Sequence, residues 1–321
     1  MTGPTSPAVA VISGGVGAAR LLAGLLAVVD PTEVTAVVNV ADDLELHGLR
    51  ISPDLDTITY TLAGEIDPER GWGLRNESWQ AMESLRRYGG IDWFSLGDRD
   101  LGTHLYRTQR YAQGAALGTI TAEIAAGWGL GLRLLPVTND RLRTMITLDD
   151  GGTGEREGGL EVTFQEYFVQ RRHGVPVRSL RFDGADTAAP APGVLEAISG
   201  ADRVVIAPSN PVVSVDPVVV VAGVRQALID RRTDVVAVSP LVAGAALKGP
   251  ADRLLRELGH EDSVVGIARW YAPLAATLVI DEADAELADA VAAEGIRPVL
   301  APTVMSDPAA AAALARTVLT P

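Results

Sequence analysis

The stretch Ala8-Val9-Ala10-Val11-Ile12-Ser13-Gly14-Gly15-Val16-Gly17-Ala18-Ala19-Arg20 decides the fold class of this chain. Residues 8–12 are a short, unbroken apolar run, as expected of a strand buried on both faces. Ser13-Gly14-Gly15-Val16-Gly17 is a turn, and a helix is expected over 18–29, stopped by Asp30-Pro31. Residues 34–40 form a second apolar run, largely β-branched. Strand, glycine turn, helix and strand in that order open a βαβ unit, and hence a parallel sheet.

The alternation returns late in the chain. Strands are expected at 204–207, 235–238, 277–280 and 298–301, with helices at 218–228, 283–294 and 308–319. The middle differs. Helical stretches such as 77–88 are separated by glycine-rich loops, and 143–182 alternates like antiparallel strands around a polar loop at 149–159. The expected architecture is α/β, a Rossmann-like, doubly wound, mostly parallel sheet with a smaller inserted α+β lobe. Residues 1–65 and 190–321 are assigned to the nucleotide-binding domain and 65–190 to the lobe, with a ligand expected in the cleft between them.

Composition narrows the chemistry. A length of 321 residues with a hydrophobic fraction of 47% fills a sizeable core. Cysteine is absent, which excludes disulfides, thiolate metal sites and a cysteine nucleophile. The four histidines, at 47, 104, 173 and 260, form no HxxxH pair, so a bound metal would need oxygen ligands and would be magnesium or calcium rather than zinc. The net charge of −14 opposes binding to nucleic acid or to anionic membranes. Apolar runs fall short of the roughly 18 residues of a membrane span. The opening Met-Thr-Gly-Pro-Thr-Ser-Pro carries no secretory pattern, so the cytoplasm is the expected location.

Five clusters can carry chemistry. At the glycine turn, glycine permits φ > 0 and lets a phosphate approach the amides of a helix N-terminus. A tight turn that binds nothing is the alternative. Arg20 fills the third glycine position of G-x-G-x-x-G, and no G-x-x-x-x-G-K-[ST] is present. Asp42 and Asp43 follow the second strand, where an open parallel sheet faces its ligand. Asp54 and Asp56 follow in Ser52-Pro53-Asp54-Leu55-Asp56. These four acids read either as helix caps and solvated charges or as magnesium ligands. Ser95-Leu96-Gly97-Asp98-Arg99-Asp100, with His104 beyond, is an acid–base–acid run or a loop ion pair. Pro208-Ser209-Asn210-Pro211 offers a hydroxyl and an amide at a strand end, or is simply a turn. Ser239-Pro240 through Lys248 supplies a loop and a cation, read as a solvated lysine. Trp72, Trp79 and Trp93 fall close together, and one of them is a candidate wall for a ring-binding pocket.

In order and spacing, Ser13-Gly14-Gly15-Val16-Gly17, Val38-Asn39-Val40-Ala41-Asp42-Asp43 and Ile51-Ser52-Pro53-Asp54-Leu55-Asp56-Thr57 resemble the opening motifs of the 2-phospho-L-lactate transferases (CofD/FbiA). Arg70-Gly71-Trp72-Gly73, Leu96-Gly97-Asp98-Arg99-Asp100, Pro208-Ser209-Asn210-Pro211 and Ser239-Pro240 extend the likeness over nearly the whole chain. The resemblance implies transfer of a phosphoenolpyruvyl or 2-phospho-L-lactyl group from a guanosine diphosphate carrier to the ribityl hydroxyl of Fo (7,8-didemethyl-8-hydroxy-5-deazariboflavin). GMP leaves, magnesium is required, the product leads to coenzyme F-420, and the enzyme is expected to be a homodimer. Carried onto this chain, Ser13, Gly14, Gly15, Gly17, Ala18, Arg20, Ser209 and Asn210 are expected at the nucleotide, and Asp42, Asp43 and Asp56 at magnesium. Asp56 and Ser95 are expected at the acceptor, although Ser95 stands where some relatives have lysine. Asp56 and Arg99 form the expected catalytic pair, with Arg20 an alternative to Arg99 at the developing phosphate charge. Two other readings compete. One is a UDP-sugar-binding regulator resembling the YvcK group, against which the tryptophan-rich 70–95 segment argues. The other is an NAD-dependent oxidoreductase, disfavoured by Arg20 and by the adjacent Asp42-Asp43.

Overall fold

Strand β1 (Val9–Ser13) is buried along its whole length and leads into helix α1 (Gly15–Leu26); β2 (Val34–Val38) returns parallel to β1, Val9 opposite Val34 and Ser13 opposite Val38. In the computed structural model, which describes residues 8–149, 159–247 and 249–321, this βαβ unit supplies two interior strands of a seven-stranded sheet. Hairpin β3 (Leu44–Leu46) and β4 (Leu49–Ile51) comes next, followed by helices α2 (Pro53–Leu62), α3 (Gln80–Arg87), α4 (Asp100–Ala112) and α5 (Leu117–Gly127). Strand β5 (Arg133–Pro136) then pairs in parallel with β2. Strands β6 (Arg143–Leu148), β7 (Leu160–Thr163) and β8 (Val177–Asp183) make a separate antiparallel sheet in the order β7-β6-β8. Strands β9 (Arg203–Ile206) and β10 (Val235–Val238), the short hairpin β11 (Leu241–Val242) and β12 (Ala245–Ala246), and strands β13 (Thr277–Ile280) and β14 (Arg297–Leu300) complete the set.

The main sheet runs β14-β13-β10-β9-β1-β2-β5, every neighbouring pair parallel. By order of appearance its strands stand 3-2-1-4-5-6-7, the doubly wound arrangement with one strand added. The chain therefore reverses direction across the sheet between β1 and β9, where such sheets place their ligands. Register puts Ser13, Val38 and Pro136 level at the carboxyl edge, with Ile206 opposite Ile12. On one face, α1 packs against α2 and the C-terminal helix Pro308–Leu319. A second, smaller core of Leu46, Ile51, Met82 and Leu96 lies under the β3–β4 hairpin and α3.

Three expectations change. Residues 65–190 are not one inserted lobe, because β5 lies within them and buries Leu134 in the main core. The flanking Arg133 and Pro136 masked a strand whose membership is set by β2. Helix α1 starts at Gly15 rather than at 18, so the glycines are its first turn. In place of one helix over 218–228, Pro211–Val219 and Val224–Asp230 are separate segments bent by 92°. The polar loop at 150–158, Lys248 and residues 1–7 lie outside the described residues. Among the described residues, no single helix is long and apolar enough to cross a membrane.

Candidate active site

Two strand-end loops meet at the reversal point. Gly14 is extended and caps α1, and Gly15 takes φ +69°, a left-handed conformation that favours glycine. Gly17 sits against the loop after β9: a Cβ there would lie 2.1 Å from the Pro208 carbonyl oxygen. Ser209 closes the junction by donating from Oγ to the Gly14 carbonyl at 2.7 Å. Asn210 accepts from the amides of Val212 and Val213, at 3.0 and 3.4 Å, and so caps the segment that starts at Pro211. The Ser209 hydroxyl and the Asn210 side-chain oxygen are thus spent on shaping the wall of the glycine turn.

The amide of Gly15 donates to Asp54 Oδ1 at 2.9 Å, so a carboxylate occupies one of the anion-seeking amides of α1. Asp54 is held in turn by Asn39, whose Nδ2 donates to Asp54 Oδ2 at 3.0 Å, to Asp42 Oδ2 at 3.2 Å and to the Val213 carbonyl at 3.3 Å. Asn39 Oδ1 accepts from the Ala41 amide at 2.8 Å, fixing the amide orientation. Neither Asp42 nor Asp43 caps a helix, because a turn and then β3 follow them. Asp43 accepts from Ser52 Oγ at 2.7 Å. Burial, together with the neighbouring Asp54 charge, holds Asp42 well above the ordinary carboxylate range. Burial pushes Asp54 up to about 6 and Asp43 up to about 7. Asp42 Oδ1 is buried with no hydrogen-bond partner. Buried carboxylates in this state seek a cation.

Asp56 is a different case. The buried Arg107 of α4 grips its carboxylate with both terminal nitrogens, Nη1 at 3.1 Å from Oδ2 and Nη2 on Oδ1. His104 stands beside the pair, its Nδ1 3.8 Å from Asp56 Oδ2 and its Nε2 3.2 Å from Asp100 Oδ2. Tyr60 donates to Asp100 and, its one proton so used, accepts from Thr103 Oγ1 at 2.8 Å, which completes a buried polar network between α2 and α4. The geometry gives Asp56 a cationic partner of its own and leaves Asp42 and Asp54 as the joined carboxylates.

The remaining predicted residues scatter. Ser13 is buried and donates to the Val11 carbonyl at 3.2 Å. Ala18 is buried in α1. Arg20 reaches the Met305 carbonyl at 3.1 Å. Arg99 is exposed, bonded to the Arg75 carbonyl and to Glu65, and none of these contacts involves the glycine turn. Its motif is a pair of helix caps. Asp98 accepts from Ser78 Oγ and from the Gln80 and Ala81 amides at the start of α3, and Glu77 accepts from the Arg99 and Asp100 amides at the start of α4. Ser95 lines an open groove of about 450 Å³ with Arg70, Trp72, Trp79, Glu83 and Arg86. Arg70 there lies 5.4 and 5.2 Å from the Trp72 and Trp79 ring centres. Sequence reasoning missed Asn39 and Arg107 as site residues and read Asp54 only as a possible ligand or cap. An amide side chain three residues ahead of an acid pair, Asn39 before Asp42-Asp43, was the available signal.

Among the described residues, no group of three His, Cys, Asp or Glu side chains converges as a self-sufficient metal cage. Magnesium is commonly held by one or two carboxylates together with phosphate oxygens and water. Asp42 and Asp54, with the unpartnered Asp42 oxygen, fit that donor set.

Residues 9–316 match the family described as 2-phospho-L-lactate transferase CofD. The chain is 42% identical over 318 residues to a phosphoenolpyruvate transferase of Mycolicibacterium smegmatis, covering 96% of each. It is also 42% identical over 311 residues to a phosphoenolpyruvate transferase of Kitasatospora aureofaciens, covering 96% of this chain and 95% of that one. A UPF0052-family protein of Bacillus halodurans shares the fold, with a TM-score of 0.62 and 18% identity, over 99% of this chain and 100% of that one. With a match that spans nearly its whole length and relatives this similar, the chain belongs to the CofD family of 2-phospho-L-lactate transferases.

Proposed function

We propose that this transferase moves a phosphoenolpyruvyl, or 2-phospho-L-lactyl, group from a guanosine diphosphate carrier to the terminal ribityl hydroxyl of Fo, in coenzyme F-420 biosynthesis. The hydroxyl oxygen bonds to the phosphorus that carries the three-carbon acid, the bond from that phosphorus to the bridging oxygen breaks, and GMP leaves with the electron pair. Phosphoryl transfer asks a protein chiefly for positioning and charge neutralisation. The observation that carries this reading is Asp54, bonded at once to the α1 amide of Gly15 and, through Asn39, to Asp42.

The first-turn amides of α1 cradle the diphosphate. Asp42 and Asp54 would hold magnesium, which when bound supplies neutralisation of the diphosphate charge. Asp56, oriented by Arg107, meets the acceptor hydroxyl, and Asp43 is the carboxylate left to take its proton. The Trp72–Trp79 groove, with Arg70 and Ser95, receives the deazaflavin ring on its aromatic face.

Incubation with Fo, magnesium and each guanosine diphosphate donor, followed by mass spectrometry, tests this. The expected product is an Fo phosphodiester carrying the three-carbon acid, with GMP in equal amount. No adduct from either donor, combined with tight binding of a UDP-sugar, would overturn the reading in favour of a regulator.

A further inference from the structure

Two arginines, Arg107 and Arg143, lie near Asp43, in a protein whose net charge is −14. Arg107 is committed to Asp56, and Arg141 close by is committed to Asp183. Arg143, the first residue of β6, is not committed. It is half-buried, its Nη1 donates to the Leu142 carbonyl at 2.9 Å, and among the described residues it forms no ion pair with a carboxylate. Burial works against its charge, and Asp43 is the acid that most supports it. A guanidinium taken out of water without a bonded anion costs free energy.

Its place is fixed by backbone. The Thr144 amide donates to the Ala41 carbonyl at 2.9 Å, and Gln165 Nε2 donates to the Asp42 carbonyl at 3.2 Å. These bonds pin the start of β6 and the segment just after β7 to the loop that carries the site acids. Arg50 adds a second cation. Its guanidinium lies 4.4 Å from the Tyr111 ring centre, and its ion pair, with the exposed Glu45, is long at 3.9 Å. The Arg50 amide donates to Thr108 Oγ1 at 2.8 Å and its carbonyl accepts from Arg107 at 3.3 Å, so β4 is tied to α4 on the other side of Asp43.

We propose that Arg143, supported by Arg50, is the subsite for the carboxylate of the three-carbon acid on the donor. The planar fork of arginine suits a carboxylate, which it can engage with two parallel hydrogen bonds. The division of labour follows. The glycine turn and Asp42–Asp54 read the diphosphate, which GDP and the donor share; Arg143 reads the group that GDP lacks. This inference rests on the donor proposed above.

Calorimetric titration in magnesium, without Fo, compares GDP with the GDP ester of L-lactate (2-phospho-L-lactate joined to GMP) on wild type, Arg143→Gln, Arg143→Lys and Arg50→Ala. Arg143→Gln is expected to weaken the ester about 10- to 100-fold while GDP affinity stays within about twofold, the size of a lost charge-assisted bond. Arg143→Lys recovers part of the loss, and Arg50→Ala shows a smaller loss of the same kind. Retained GDP binding certifies the fold of each variant. If Arg143→Gln binds neither ligand, the ester-to-GDP ratio of Arg50→Ala decides. Equal loss of both ligands in a folded variant, or no loss of either, overturns the subsite. A wild type that forms the Fo adduct alongside an unchanged ratio sinks the subsite alone. A wild type that binds the ester but yields no adduct sinks the proposed reaction and leaves the ratio test standing.

Discussion

Asp54 and Asp56 are two residues apart on α2, and successive helical residues turn by about 100°, so the two carboxylates point to nearly opposite sides. Asp54 reaches the glycine turn and Asp56 reaches Arg107. Helical period alone separates these roles, yet a single sequence does not say which side holds the ligand. Asp54→Asn is expected to lower turnover by roughly 100-fold with little change in melting, as for a lost metal contact. Asp56→Asn leaves Arg107 buried without its carboxylate and is expected to cost about 3 kcal/mol of stability. Because Asp56 also meets the acceptor hydroxyl, turnover falls in both variants, so chemical denaturation separates the two; a loss of stability in Asp54→Asn with none in Asp56→Asn would refute the assignment. Gly17→Ala places a methyl 2.1 Å from the Pro208 carbonyl. The loop after β9 must then move, and urea melts should show a loss of about 2–3 kcal/mol, the cost of overpacking.

Elements show where local sequence speaks and where it does not. Strands β10 and β13 and the helix Pro308–Leu319 fall where apolar runs and the Asp307-Pro308 start place them. In the acid–base–acid run at 98–100, Asp98 caps a helix that begins some 18 residues earlier while Asp100 joins the buried network of Tyr60 and His104, a division that local spacing does not show. The segment after β9 carries a further acid, half-buried. Asp216 accepts from Trp270 Nε1 at 3.1 Å, and burial pushes its carboxyl up to about 6. Because the folded value lies above the ordinary 3.8, the folded state binds the proton more tightly. The stability this contributes is complete below about pH 4 and is lost as pH rises through about 6. Asp216→Asn keeps an acceptor for Trp270 and carries no charge. It should match wild type near pH 4 and exceed it by about 1–3 kcal/mol at pH 8. Denaturant titrations at both pH values check this, and a pH-independent difference would contradict it.

At the scale of the molecule, the parallel sheet was legible because β1, β2, β9, β10 and β13 are almost wholly buried and therefore almost wholly apolar. Strand β5 was not, since two leucines between Arg133 and Pro136 are too short a signal. The Arg107–Asp56 pair spans 51 residues, and a contact at that separation leaves no mark on local pattern. Ligand linkage offers a test on the whole fold. Magnesium with GDP at 100 times the dissociation constant should stabilise the protein by about 2.7 kcal/mol, chelation should reverse the metal-dependent part, and Asp42→Asn should lack that part. Differential scanning calorimetry reads all three, and an unchanged midpoint on adding both ligands would count against a site here.

The bond from Ser209 to the Gly14 carbonyl joins residues 195 positions apart. During synthesis the glycine turn emerges early, yet its facing wall does not exist until more than half the protein has been made. A ribosome-tethered fragment ending before residue 203 therefore holds an unfinished cradle, and nucleotide capture becomes a signal that the two halves of the sheet have met.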